Sequence, residues 1–327
     1  MYLARIRHVG PDGPTARIVA TTDPASGWID VRIAERLRLE RSGTGAAAAR
    51  RIAAAIVPAS LSAAADAGRV FLDAAARAAA DISGDARTPE DTPFTLPLEP
   101  VAYRDFMAFE RHFSFGYKWR GVAVPDVMYE MPVSYIGSTQ AFIGPEDEVP
   151  WPHYSEHLDY ELELGIVIGR SGRDVYPDRA MDYVLGLTVL NDFSARDIQR
   201  REMEGGLGPS KGKHFATALG PWIATPDELP AAGLTMTAKV NGETTCRANS
   251  SEMIWSIAEI VAWAAAGEQL AAGTLLGSGT CNGGSGIELG RKLAPGDVVE
   301  LEIDKLGVLR NRLGTPGTGW MPAHRAH

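Results

Sequence analysis

Apolar and polar positions alternate most regularly in the run Tyr160-Glu-Leu-Glu-Leu-Gly-Ile-Val-Ile168. Read as a strand, it sets Leu162, Leu164, Ile166 and Ile168 on one face and the carboxylates of Glu161 and Glu163 on the other. Further apolar runs predict strands over Tyr183–Leu190, Phe215–Ala224, Leu234–Val240, Leu275–Thr280 and Asp297–Ile303, separated by Gly, Pro and Asp turns. Beyond Val101, helical spacing is confined mainly to Tyr103–Phe113 and Glu252–Ala265. Many strands, few helices and no βαβ alternation predict an α+β, β-rich fold with a mixed sheet core rather than a doubly wound sheet.

The first 82 residues read differently. Short strand-like pieces, Tyr2–Val9, Thr15–Thr21 and Gly27–Arg32, precede an Ala-rich stretch, Ala46–Ala80, that predicts helices broken near Pro58. Val70, Phe71, Ala74, Ala75 and Ala78 recur at helical spacing, so residues 1–82 are expected to form a small N-terminal accessory domain. Pro89, Pro93, Pro97 and Pro100 mark residues 83–100 as a connector, and 101–327 as the main β-rich unit.

Charge narrows the partners. With 32 basic and 41 acidic residues the net charge is −9, which argues against nucleic acid or an anionic membrane as partner. No apolar stretch reaches the roughly 18 residues that span a bilayer; Arg50, Arg51, Asp66, Arg69, Asp73 and Arg77 interrupt the Ala-rich segment. The N-terminus lacks the apolar core of a signal peptide. Cys246 and Cys281 stand in unrelated contexts, so a reducing cytoplasm is expected.

Two carboxylates on one face of a half-buried strand repel each other and lose solvation, and each raises its neighbour's pKa unless a positive charge lies between them. A hard divalent cation, Mg²⁺, Mn²⁺ or Ca²⁺, would resolve the conflict. The same spacing also suits an edge strand with two solvated glutamates. Asp192 follows an apolar strand in Leu190-Asn-Asp-Phe-Ser-Ala-Arg-Asp-Ile-Gln199 and would complete a set of three carboxylates, although a turn aspartate reads alike. Asp105 and His112 are seven residues apart; on a helix they would share a face about 10 Å apart, one at a metal and one at a reacting carbon. A histidine among aromatics is also a common packed residue. Lys213, in the Gly-rich stretch Gly205–His214, could offset surplus negative charge and stabilise an enolate; the phosphate-loop spacing is absent. Thr280 ends a strand among glycines, which permits close backbone approach to a ligand.

Taken together, Y-E-L-E-L-G-I-V-I-G, N-D-F-S-A-R-D-I-Q, G-K-H-F-A-T and G-S-G-T resemble the fumarylacetoacetate hydrolase family. Tyr103–His112 and Met131-Pro-Val-Ser-Tyr135 resemble its hydrolases in particular, and the resemblance runs from about Val101 to Gly314. It implies a mixed β-sandwich or roll of the fumarylacetoacetase C-terminal type, a homodimer, and a bound Mg²⁺ or Ca²⁺. It further implies Glu161, Glu163, Asp192 and Asp105 as metal ligands, and His112 as the base that activates water, oriented by Glu288. Lys213, Gln199, Tyr135 and Thr280 would contact the substrate, with Arg196 and Thr217 in support. The implied chemistry is hydrolysis of a carbon–carbon bond in a small 1,3-dicarbonyl acid, or else decarboxylation or tautomerisation of a 2-oxo-enoic diacid on the same metal. Met203 stands where similar hydrolases carry a tyrosine.

Overall fold

Two β-sheets pack face to face in the computed structural model, which describes residues 1–10, 13–81, 83–230 and 233–322. The larger is mixed. Its order runs Ile29–Asp30, Gly13–Thr21, Tyr2–Gly10, Thr217–Ala224, Val184–Asn191, Leu162–Ile168, Leu275–Gly277, Tyr103–Phe106 and Ser134–Ile136. The smaller runs Glu243–Asn249, Thr235–Val240, Val298–Ile303, Gly307–Pro316 and Glu148–Trp151. Leu162, Leu164, Ile166 and Ile168 enter the core between the sheets with Met236 and Leu301, while Val167 joins a second core under the N-terminal helices. The α+β, β-rich sandwich is thus the expected one, and the central strand is buried on both faces rather than solvated on one.

The N-terminal residues do not stand apart from this sheet. Tyr2 and Leu3 pair antiparallel with Ala224 and Ile223. The helices Ala46–Ile56, Leu61–Asp66 and Arg69–Ala79 bury Leu61, Phe71 and Ala75 in one core with Leu185, Leu219 and Ile223. The Pro-rich stretch is seated too: Phe94 bridges Ile6, Arg87 bridges Ile29, and Leu98 is fully buried.

Two readings of local structure need correction. Tyr103–Phe113 is not one helix: Tyr103–Phe106 is a strand between Leu275–Gly277 and Ser134–Ile136, and the helix spans Glu110–Trp119. Pairing on both sides outweighs helical spacing, because strand preference is set by neighbours more than by sequence. Gly27–Arg32 contributes only the strand Ile29–Asp30; the Asp30 carboxylate caps the helix Val31–Arg41 by accepting from the Ile33 amide at 2.9 Å. The helix Arg196–Glu204 and the strands Glu243–Asn249 and Gly307–Pro316 were not anticipated.

Candidate active site

The strand Leu162–Ile168 carries Glu163 into the interior; the adjacent strand Val184–Asn191 and, one strand beyond Leu275–Gly277 on the other side, Tyr103–Phe106 deliver the other carboxylates. Asp192 follows the last residue of Val184–Asn191, and Asp105 lies on Tyr103–Phe106 opposite Gly277 and Tyr135. Oxygens of Asp105, Glu163 and Asp192 lie within 4.8 Å of one another, and all three residues are buried. A side chain at position 277 would bring a Cβ to 2.2 Å from Asp105 Oδ1 and 2.9 Å from Glu163 Oε2, so only glycine leaves room for the pair. The Gly279 amide donates to both, at 3.2 Å each.

Charge in this cluster is unbalanced. Burial first, then the Asp192 charge, pushes Asp105 up to about 8; burial and Asp105 push Glu163 well above the usual carboxylate range. Asp192 is raised as well by burial, although Lys213 works against it. Asp192 Oδ1 is buried with no hydrogen-bond partner among the described residues. Three crowded carboxylates, one of them with a buried oxygen that has no partner among the described residues, fit a divalent cation.

Glu161 is placed differently from its neighbour. Its carboxylate pairs with Lys213 Nζ and, at 2.7 Å, with Arg196 Nη1. Burial alone would raise it, but the Lys213 and Arg196 charges outweigh burial and hold it down to about 2. Lys213 also reaches Asp192 Oδ2 at 2.5 Å, so one buried ammonium bridges two of the four expected metal ligands.

His112 comes in on the helix Glu110–Trp119. Its Nδ1 is 2.9 Å from Glu288 Oε2, and its Nε2 is 3.8 Å from Glu161 Oε1. Glu288 also accepts from Ser285 Oγ at 2.8 Å and the Gly283 amide at 3.1 Å. Burial would raise Glu288, yet its hydrogen bond to His112 and the imidazole's charge bring it below the ordinary value. Tyr135 donates to Asp192 Oδ2 at 2.7 Å, Thr280 to Glu163 Oε1 at 3.3 Å, and Gln199 accepts from Arg196 at 3.1 Å. All three line the cavity with His112 and Lys213. Thr217 does not; it is buried beside Phe142, with its amide on the Ala141 carbonyl.

Sequence reasoning missed Asp159. Fully buried, it accepts from Arg196 Nε at 2.9 Å, the Gly286 amide at 2.8 Å and the Ile287 amide at 3.0 Å, tying Arg196 to the loop that carries Glu288. Only its position just before Tyr160-Glu-Leu-Glu163 could have pointed to it.

The cavity has a volume of about 260 Å³. Phe115, Tyr117, Trp119, Met203 and Pro209 form an apolar wall, and Arg120 and Arg200 stand among them. Arg200 lies 5.2 Å over the Trp119 ring. Every lining residue falls between Asp105 and Ile287, so the N-terminal segment supplies none.

The model of the fumarylacetoacetate hydrolase C-terminal domain matches residues 102–314, which contain this whole site. The chain belongs to the fumarylacetoacetate hydrolase family. Among curated relatives it is 36% identical over 190 residues to a 2,4-didehydro-3-deoxy-L-rhamnonate hydrolase of Sphingomonas sp., covering 56% of this chain and 65% of that one. It is 34% identical over 187 residues to a mitochondrial oxaloacetate tautomerase of Xenopus laevis, covering 55% and 57%. The fold matches a fumarylacetoacetate hydrolase from Exiguobacterium antarcticum with a TM-score of 0.71 at 24% identity, over 96% of this chain and 99% of that one. The structural likeness therefore extends through the N-terminal segment. The family holds enzymes of more than one reaction, hydrolases and tautomerases among them.

Proposed function

We propose that this family member is a metal-dependent hydrolase that cleaves a carbon–carbon bond in a 1,3-dicarbonyl acid, such as an acylpyruvate or a dioxo acid. The His112–Glu288 pair beside the buried carboxylates carries this reading. Asp105, Glu163 and Asp192, with Glu161 as the fourth carboxylate, are the residues that would hold Mg²⁺, Mn²⁺ or Ca²⁺. When bound, the cation would supply Lewis-acid polarisation of a dicarbonyl substrate.

The chain's own residues do the rest. Glu288 accepts the Nδ1 proton of His112 and leaves Nε2 free to take a proton from water. The water oxygen adds to the distal carbonyl carbon. The bond from that carbon to the central carbon then breaks, and its electron pair remains on the central carbon as an enolate. Lys213, buried and positive, offsets that charge. His112 returns its proton to the central carbon, so one water is divided between an acid and a ketone fragment. Arg120 and Arg200 lie over the Tyr117 and Trp119 rings, and their place in the cavity suits an acid substrate. The volume is below the roughly 300–1,000 Å³ of drug-sized sites, which suits a small one.

In this reading the segment 1–82 is an accessory unit supporting the sheet, catalysis resides in 101–327, and the protein works in the cytoplasm as a homodimer. The edge strand Ser134–Ile136, with Ile136 76% exposed beside Tyr135, is the surface a second copy would cover. The test is incubation with Mg²⁺ and a panel of acylpyruvates and dioxo acids, following enol absorbance and the masses of both fragments. Absence of any fragment pair across the panel overturns the reading. A second reading, tautomerisation or decarboxylation on the same carboxylates, rests on the likeness to the Xenopus tautomerase. It requires only an enolising cation and makes His112 dispensable.

A further inference from the structure

Away from this site, a cavity of about 430 Å³ opens between the strand Gly13–Thr21 and the helices Val31–Arg41 and Ala46–Ile56. Four arginines line it, Arg17, Arg32, Arg36 and Arg50, against one acid, Asp30. That acid is already engaged: it accepts from Arg17 Nη1 at 3.1 Å and caps the helix through the Ile33 amide. Arg32 gives its Nε to the neutral Val57 carbonyl at 2.7 Å, and Arg36 has, among the described residues, only Glu40 at 3.6 Å. Arg50 has no carboxylate within 4 Å among the described residues. Outside the cavity the same helix behaves otherwise, since Arg38 meets Glu35 at 2.7 Å and Arg41 meets Asp85 at 2.6 Å.

On the helix Val31–Arg41, the two arginines with no carboxylate closer than 3.6 Å among the described residues, Arg32 and Arg36, are the two that line the cavity. Arg32 and Arg36 stand one turn apart, an unfavourable spacing for like charges. The concentration arises in a chain whose net charge is −9, so it does not follow from a basic composition. Guanidinium forks match phosphoryl oxygens two at a time, and Ile33 and Ala53 give the cavity an apolar side.

We propose that this cavity binds a small phosphate-bearing molecule, a phosphomonoester or diphosphate, through Arg32, Arg36 and Arg50. The site lies outside residues 102–314 and is separate from the catalytic cavity. Titration calorimetry of the full chain with inorganic pyrophosphate tests it, with sodium chloride at matched ionic strength as background. One saturable site per chain is expected, and Arg36→Gln with Arg50→Gln should weaken it at least tenfold. Arg51→Gln removes one positive charge beside the cavity and should leave binding unchanged, with Arg36→Gln alone as its charge-matched comparison; melting temperatures of all variants report that they are folded. No saturable binding, equal loss in Arg51→Gln, or citrate binding as tightly as pyrophosphate would each overturn the proposal.

Discussion

His112 owes its place to contacts that no single stretch of sequence contains. Its Nδ1 faces Glu288, 176 positions away, and its Nε2 faces the carboxylate end of the central strand. If it activates water, His112→Ala lowers kcat by roughly 10²–10⁴ while metal and substrate affinity change little. Steady-state kinetics with calorimetry of the variant check this, and near wild-type turnover would hand the lead to the tautomerase reading. Gly277→Ala is predicted to abolish divalent-cation binding, since its methyl would fall on Asp105 Oδ1. Calorimetry with Mn²⁺ on the folded variant decides it; unchanged affinity removes Asp105 from the metal set. Glu161, Glu163 and Asp192 were legible because carboxylates inside or just after apolar runs have few bland explanations. Asp159 was not, because its partners lie 37 to 128 positions away and its role exists only once Arg196 and the 286–287 amides have converged.

At the scale of elements, strands with continuous apolar runs were readable, while pieces whose identity depends on neighbours were not. Tyr103–Phe106 shows why: its spacing suits a helix, and two flanking strands make it a strand. Asp105 and His112 consequently reach the site from a strand and a following helix rather than from one helix face. The N-terminal helices carry a pH-dependent tie. Glu35, 2% exposed in its side chain, bonds Arg38 on its own helix and Arg77 on Arg69–Ala79, and its hydrogen bond from Arg38 lowers its pKa from 4.5. A depressed carboxylate pKa contributes stability that is fully present above 4.5 and lost as pH falls through the folded-state value. Glu35→Gln should therefore lower Tm at pH 7, and the gap from wild type should narrow steadily below pH about 4.5. A gap that stays constant across that range in thermal melts assigns the loss to packing instead.

For the molecule as a whole, the β-rich sandwich and the position of the carboxylates were readable from the alternation of the chain. The continuity of the sheet into residues 2–21 was not, because the strand pairing that makes it spans only two residues, Tyr2 and Leu3 on Ala224 and Ile223. Mg²⁺ or Mn²⁺ should raise Tm in a saturable way, by about 2.7 kcal/mol of stability at a hundredfold excess over Kd, and chelator should reverse it. Glu163→Gln should lose that response in differential scanning calorimetry, and identical melts with and without cation would contradict a metal site. The joint at Tyr2–Leu3 also bears on heredity. A segment matched as one family unit, residues 102–314, leaves the apolar Leu219 and Ile223 to be covered by residues outside it. Moved without them, such a unit would expose these side chains to water. Any exchange has to carry, or independently reinvent, a partner strand in register with Ile223 and Ala224.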